Sequence, residues 1–220
     1  MINIFRHTFI LKFAWIIGIG LIPYAKIHAQ DVPGCGSLAN AYGPFDYTNA
    51  ADFTNKLPIV ETHHFEPEIE RLQNDPRTGM LPGVDLDYTL RAFPNHHRAL
   101  NSMAQYEIKT KQSPPPKSRY TADCWFKRAI YFSPKDGVVR MLYGNFLQIK
   151  KDYPAAKEEY QRAIELSGNN PTLNYNFGLL YFDMKDYEAA YEQAVLAYSA
   201  GFPLPGLKKK LKSAGYWKEY

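Results

Sequence analysis

The chain has 220 residues, 45% of them hydrophobic and 22% charged, a balance that supports a buried core and excludes an intrinsically disordered chain. Its formal net charge is +4, but residues 1–29 hold Arg6, Lys12 and Lys26 and no acid. The remainder therefore carries about +1, which excludes the basic footprint of a nucleic-acid binder.

At the start of the chain, Arg6 and Lys12 precede the apolar run Phe13–Ile22; Pro23 breaks that run, and Ile27-His28-Ala29 reads as a cleavage site before Gln30. Residues 1–29 are thus expected to be a signal peptide. The run falls short of the roughly 20 residues a spanning helix needs, so no stable membrane insertion is expected after signal removal. The implied location is exported, periplasmic or extracellular. Only two cysteines occur, Cys35 and Cys124. In an oxidising compartment a single disulfide between them is the expected state, with two buried thiols as the alternative.

Residues 30–94 are rich in Gly, Pro, Asn and Asp and show no long period. Within them a short helix is expected over Glu66–Leu72, ended by Asn74-Asp75-Pro76. A second short helix is expected to be capped by Asp85 and to run to Ala92, with Gly79–Gly83 as a loop between the two. From about residue 95 the pattern turns helical. Leu100, Met103, Ala104 and Ile108 form an apolar stripe on a helix expected over Asn95–Lys109. Gln112–Ser118, with three consecutive prolines, makes a stiff extended joint. Ala122, Phe126 and Ala129 then mark a second helix.

The strongest pattern is an echo at a spacing of 34 residues. Lys151-Asp152-Tyr153-Pro154-Ala155-Ala156 returns as Lys185-Asp186-Tyr187-Glu188-Ala189-Ala190, and Gly144, Glu158 and Ala163 return as Gly178, Glu192 and Ala197. Small residues recurring at this interval permit two antiparallel helices to cross closely. Gly144 and Gly178 belong to the first helix of each pair, and Ala156, Ala163, Ala190 and Ala197 to the second. After the last pair, Leu207 to about Ala214 forms a lysine-rich capping helix, with Trp217 folding back onto it.

These residues resemble the tetratricopeptide repeat (TPR) family. The windows 137–170 and 171–204 match its small and large positions without a gap, and a degenerate repeat over about 95–136 precedes them. The family's usual tryptophan is absent; Arg140 and Asn174 stand in its place. The resemblance implies an all-α fold: a short α-solenoid of one degenerate and two good repeats with a cap at 205–214. The segment 30–94 would pack on it as an irregular layer. Cys124 and Trp125 fall where later repeats carry Glu158-Glu159 and Glu192-Gln193 on the solvated side of the second helix. The N-terminal segment is therefore expected to cover that side, pinned by Cys35–Cys124.

The resemblance also implies a function. The first helices would line a concave groove, here with Val138, Met141, Asn145, Gln148, Ile149, Thr172, Tyr175, Asn176, Leu179, Phe182 and Asp183. A mixture of apolar, aromatic and amide side chains suits a protein or peptide partner. Asn145 and Asn176 resemble the asparagines of carboxylate-clamp members, with Lys210 as a cation, but Met141 stands where such clamps carry lysine. Three other readings are weaker. Repeat faces permit self-association into an oligomer. The pairs His63-His64 and His96-His97 suggest a metal, yet no spacing among them supplies three or four ligands to one ion. No nucleophile elbow or phosphate loop occurs, so neither catalysis nor a cofactor is expected.

Overall fold

The computed structural model describes residues 31–168 and 170–218; the leader reading of 1–29 lies outside the described residues. A two-stranded antiparallel ribbon of β1 (Asp31–Val32) and β2 (Gly36–Ser37) comes first. Eleven helices follow among the described residues: α1 (Ala50–Asn55), α2 (Leu57–His64), α3 (Pro67–Glu70), α4 (Pro82–Ala92), α5 (His97–Thr110), α6 (Ala122–Phe132), α7 (Gly137–Ile149), α8 (Tyr153–Ser167), α9 (Pro171–Asp183), α10 (Tyr187–Ser199) and α11 (Gly206–Ser213).

The helices begin where short polar side chains satisfy free backbone N–H groups. The Asp136 carboxylate accepts from Val138 and Val139, and Asn170 accepts from Thr172 and Leu173 at the same point one period later. Asp152 and Asp186 cap the second helices through the N–H groups of Ala155 and Ala189. Between the helices of a pair, Lys151 and Lys185 both adopt φ 65°, the left-handed turn that reverses the chain, and Lys117 does so at φ 66°. Each of these lysines is followed by Ser or Asp.

Packing explains the repeat spacing. At Gly144 a Cβ would stand 3.2 Å from the Tyr160 ring, so any side chain there would push the ring back by a few tenths of an ångström where α7 lies on α8. The ring of Phe126 stacks on Tyr143 at 5.0 Å, and one period on, Tyr160 stacks on Phe177 at 5.3 Å; these two stacks tie each second helix to the next first helix. The third iteration is aliphatic. Ala194 takes the place of Tyr160, and Leu207 and Leu211 of α11, both fully buried, close the space. A Cβ on Gly178 would meet Leu207 Cδ2 at 2.5 Å. Helix α11 is thus a shortened first helix that ends the stack.

Upstream, several expectations are corrected. Asp85 is not a helix cap: α4 starts three residues earlier at Pro82, so Pro82 and Gly83 are helical. Proline at the first helical position costs no hydrogen bond, since that N–H lacks an intrahelical partner anyway. Helices α1 and α2 were not expected; Asn49 caps α1, and Leu57 and Val60 of α2 pack with Ala92 and Phe93. Phe65, Ile69, Leu86 and Leu90 share one core with Trp125, Phe126 and the α7–α9 residues, so apolar packing continues across residue 95.

Residues 31–38 lie against α6 at Cys124 and Phe132. Val32, Cys35 and Leu38 pack on Cys124 and Phe132, the Cys35–Cys124 disulfide has a Cα separation of 5.3 Å, and Arg128 Nη1 donates to the Cys35 and Ser37 carbonyls. Trp125 is buried in the core that also holds Phe65, Ile69, Leu86 and Leu90 of the N-terminal segment, with its indole N–H donating to Ser118 and Tyr120 edge-on at 5.1 Å.

Candidate functional site: an amide-lined groove

One face of each first helix is directed at a common cavity of 340 Å³. Helix α5 contributes Asn101 and Gln105, one turn apart; α7 contributes Asn145, Gln148 and Ile149; α9 contributes Asn176, Leu179 and Asp183. Spacings of three and four residues put each set on one helical face, and parallel stacking of the first helices aligns the three faces. No described residue upstream of α5 lines this cavity.

A buried hydroxyl sets the amides. Tyr160, fully buried in α8, lies 2.5 Å from Asn145 Oδ1 and 3.2 Å from Gln148 Oε1. Burial pushes the phenol pKa well above its ordinary value, so it stays protonated and acts as donor. Its single proton goes to the nearer Asn145 oxygen, which directs the Asn145 amide nitrogen away from α8. Gln148 in turn donates from Nε2 to Asp183 Oδ2 at 2.7 Å. The cavity wall therefore offers amide donors, one partly engaged carboxylate, and apolar surface from Leu179 and Ile149, the latter 49% exposed. Such a wall can pair with the alternating N–H and C=O groups of an extended chain while seating an apolar side chain.

A second cavity of 280 Å³ adjoins the first at Ile149 and is lined by Glu107, Ile108, Lys111, Gln112, Ser113 and Lys150. The buried Glu107 carboxylate is committed, accepting from the Ala122 N–H at 2.7 Å, and Lys150 Nζ lies 3.9 Å from it. The proline-rich joint, which begins at Gln112, helps to wall this end.

Of the eleven residues expected in the groove, six line the larger cavity: Asn145, Gln148, Ile149, Asn176, Leu179 and Asp183. Val138, Met141 and Thr172 lie toward the opposite ends of α7 and α9 and outside it. Tyr175 and Phe182 are drawn elsewhere. Tyr175 is buried under Phe202, stacked at 4.2 Å, and Phe182 packs with Tyr187 and lies under the Lys210 ammonium at 5.0 Å. Both belong to the C-terminal core beneath α11 rather than to an open surface. Asn101 and Gln105 escaped the sequence reading because the inserted joint shifts α5 six residues out of the 34-residue register.

The histidines do not gather. His64 Nδ1 pairs with Asp85 at 2.8 Å and stacks on Tyr88, His96 Nε2 pairs with Glu61 at 3.0 Å, and His97 Nε2 pairs with Asp136 at 2.8 Å. His63 lines a separate small cavity with Tyr42, Ile59 and Tyr88. Among the described residues no group of three or more His, Cys, Asp or Glu side chains is placed to hold a metal ion. No described helix is long and apolar enough to cross a membrane.

Comparison with known proteins adds one finding. The family model described as TPR repeat matches residues 144–185, from Gly144 at the α7–α8 crossing to the left-handed Lys185 after α9. No curated protein matches the chain. The matched stretch holds both crossing glycines, the Tyr160–Phe177 stack and six of the eight residues of the groove wall, and a TPR repeat supports a general role in protein–protein interaction. Over residues 144–185 the chain is thus similar to the tetratricopeptide repeat family.

Proposed function

We propose that the chain is an exported adaptor that holds an extended segment of a partner protein in the groove formed by α5, α7 and α9. The observation that carries this reading is the amide wall: Asn101, Gln105, Asn145, Gln148 and Asn176 line one cavity around the exposed Ile149. A rigid stack of helices loses little conformational entropy on binding, which suits a preformed groove. Export is supported by the Cys35–Cys124 disulfide, a bond that persists in oxidising compartments, and by the basic-then-apolar sequence of residues 1–29.

Site-specific photocrosslinking tests the reading. A photoreactive residue at Gln105 or Leu179 is expected to trap a partner segment, and the same residue at Glu158 on the outer side of α8 is not. Ile149→Asp should abolish the groove crosslinks while the circular dichroism melt stays unchanged. Equal crosslinking from Glu158, or crosslinks that survive Ile149→Asp, would count against the groove.

A further inference from the structure

The two adjoining cavities carry opposite charge, and nothing in the repeat pattern requires that. Asp183 is the charged residue of the larger one. Gln148 engages its Oδ2, and Asp183 is exposed, so Oδ1 remains open to a ligand. In the smaller cavity Lys111 and Lys150 supply two cations against one buried carboxylate, and Glu107 already accepts the Ala122 N–H. The shared wall between the two ends is Ile149.

We infer that the groove takes a bipolar segment, lying across α5, α7 and α9 with its acidic end at Lys111 and Lys150, an apolar side chain on Ile149 and its basic end at Asp183. This rests on the groove reading above and adds a charge order to it. The amide wall binds any extended backbone, since every residue offers the same N–H and C=O groups. Discrimination between segments must come from side chains, and the charges at the two ends are the groups able to supply it. Lys111, left-handed at φ 55° directly after α5, opens the lengthened joint and lines this end together with Lys150.

The probes are short peptides, acetylated and amidated, with a central leucine. One set has arginines at one end and glutamates at the other, made in both chain directions; the control has glutamine at all those positions. Fluorescence anisotropy is expected to show the better bipolar peptide binding about fivefold tighter than the neutral control, with the advantage fading as salt rises. Asp183→Lys should erase the preference. Pairing Asp183→Lys with a peptide whose arginines are replaced by glutamates should restore it, which a merely misfolded variant could not do. Lys111→Gln with Lys150→Gln should likewise erase the advantage of the acidic end. If the bipolar and neutral peptides bind equally to the native protein, the charge order is wrong and the groove stands. If no peptide binds, the groove reading falls and this inference with it.

Discussion

Helices α7 to α10 and helices α4 to α6 solve the same packing problem with different materials. In the first set the period is 34 residues throughout, and equivalent atoms do equivalent work: Asp136 and Asn170 cap, Lys151 and Lys185 turn left-handed, Asp152 and Asp186 cap again. In the second set the spacing is 40 residues: α4 at Pro82–Ala92 and α6 at Ala122–Phe132 have equal length, each followed by a prolyl turn. The cap at the position of Asp136 is His96, whose Nδ1 accepts from the Ala99 N–H at 3.2 Å. Stack geometry thus tolerates a changed period when the extra residues fall in one joint. What it does not tolerate is an uncovered end, and the two ends are closed differently, by α11 at one and by α1–α4 with a disulfide-tied ribbon near the other.

The largest effect should come from the tie. Cys35 and Cys124 are 89 residues apart in sequence, and a crosslink over such a loop contributes about 4 kcal/mol through the unfolded chain. Cys35→Ser with Cys124→Ser should lower the stability measured by urea unfolding by about that amount. The ribbon is expected to stay docked through Arg128, whose buried guanidinium has two backbone acceptors and lies 4.7 Å from the centre of the Tyr120 ring. A loss well under 1 kcal/mol would mean that the tie does not constrain this region. The other end makes a matched test. Leu207→Ala should cost about 3 kcal/mol, because it would leave a cavity over Gly178, whose Cα faces Leu207 directly. Leu204→Ala, 56% exposed beside it, should change little.

Those costs also mark what could be read from the sequence. Gly144, Gly178 and the four alanines are buried at helix crossings as their recurrence implied, since a side chain of wrong size there cannot be absorbed by solvent. Disulfide pairing followed from there being two cysteines. Tyr175 and Phe182 were misplaced because register alone cannot say that a cap helix will cover the last repeat's inner face. Helices α1 and α2 were missed because Asn49 and Pro58 start them without an amphipathic stripe long enough to stand out. His64, His96 and His97 meet three separate carboxylates, Asp85, Glu61 and Asp136, partners that adjacency in sequence does not reveal.

His96 sharpens the contrast between the two regions. Its Nδ1 accepts from Ala99, so its proton sits on Nε2 and is donated to Glu61. Burial holds its pKa below the usual histidine value, against the opposing pull of Glu61, with Arg98 and His97 as the other charged neighbours and the rings of Tyr47, Phe65 and Phe93 around it. As pH falls through about 6.5 the unfolded chain takes up a proton that the folded chain refuses, so stability from this group is whole above that pH and declines below it. Its slope cannot exceed about 1.4 kcal/mol per pH unit. Subtracting the urea-unfolding profile of His96→Asn, which keeps a cap and cannot titrate, should expose that decline. A flat difference between the two profiles from neutral to mildly acidic pH would show that His96 is not held neutral.

The smallest effect tests the regularity itself. Asp152 and Asp186 each accept one backbone N–H, at 3.3 Å and 3.2 Å, from an exposed position one residue before a second helix. Because the two sites have the same turn, the same partner atom and the same exposure, Asp152→Ala and Asp186→Ala should each cost about 1 kcal/mol and agree within a few tenths. Their sum should hold in the double variant, since the sites share no partner. If Asp186→Ala costs much less, the last pair frays independently and α11 does not couple α10 to the rest of the stack. In that case the array would behave as separable hairpins, and a groove that depends on α5, α7 and α9 moving as one body would lose its rigid α9 wall.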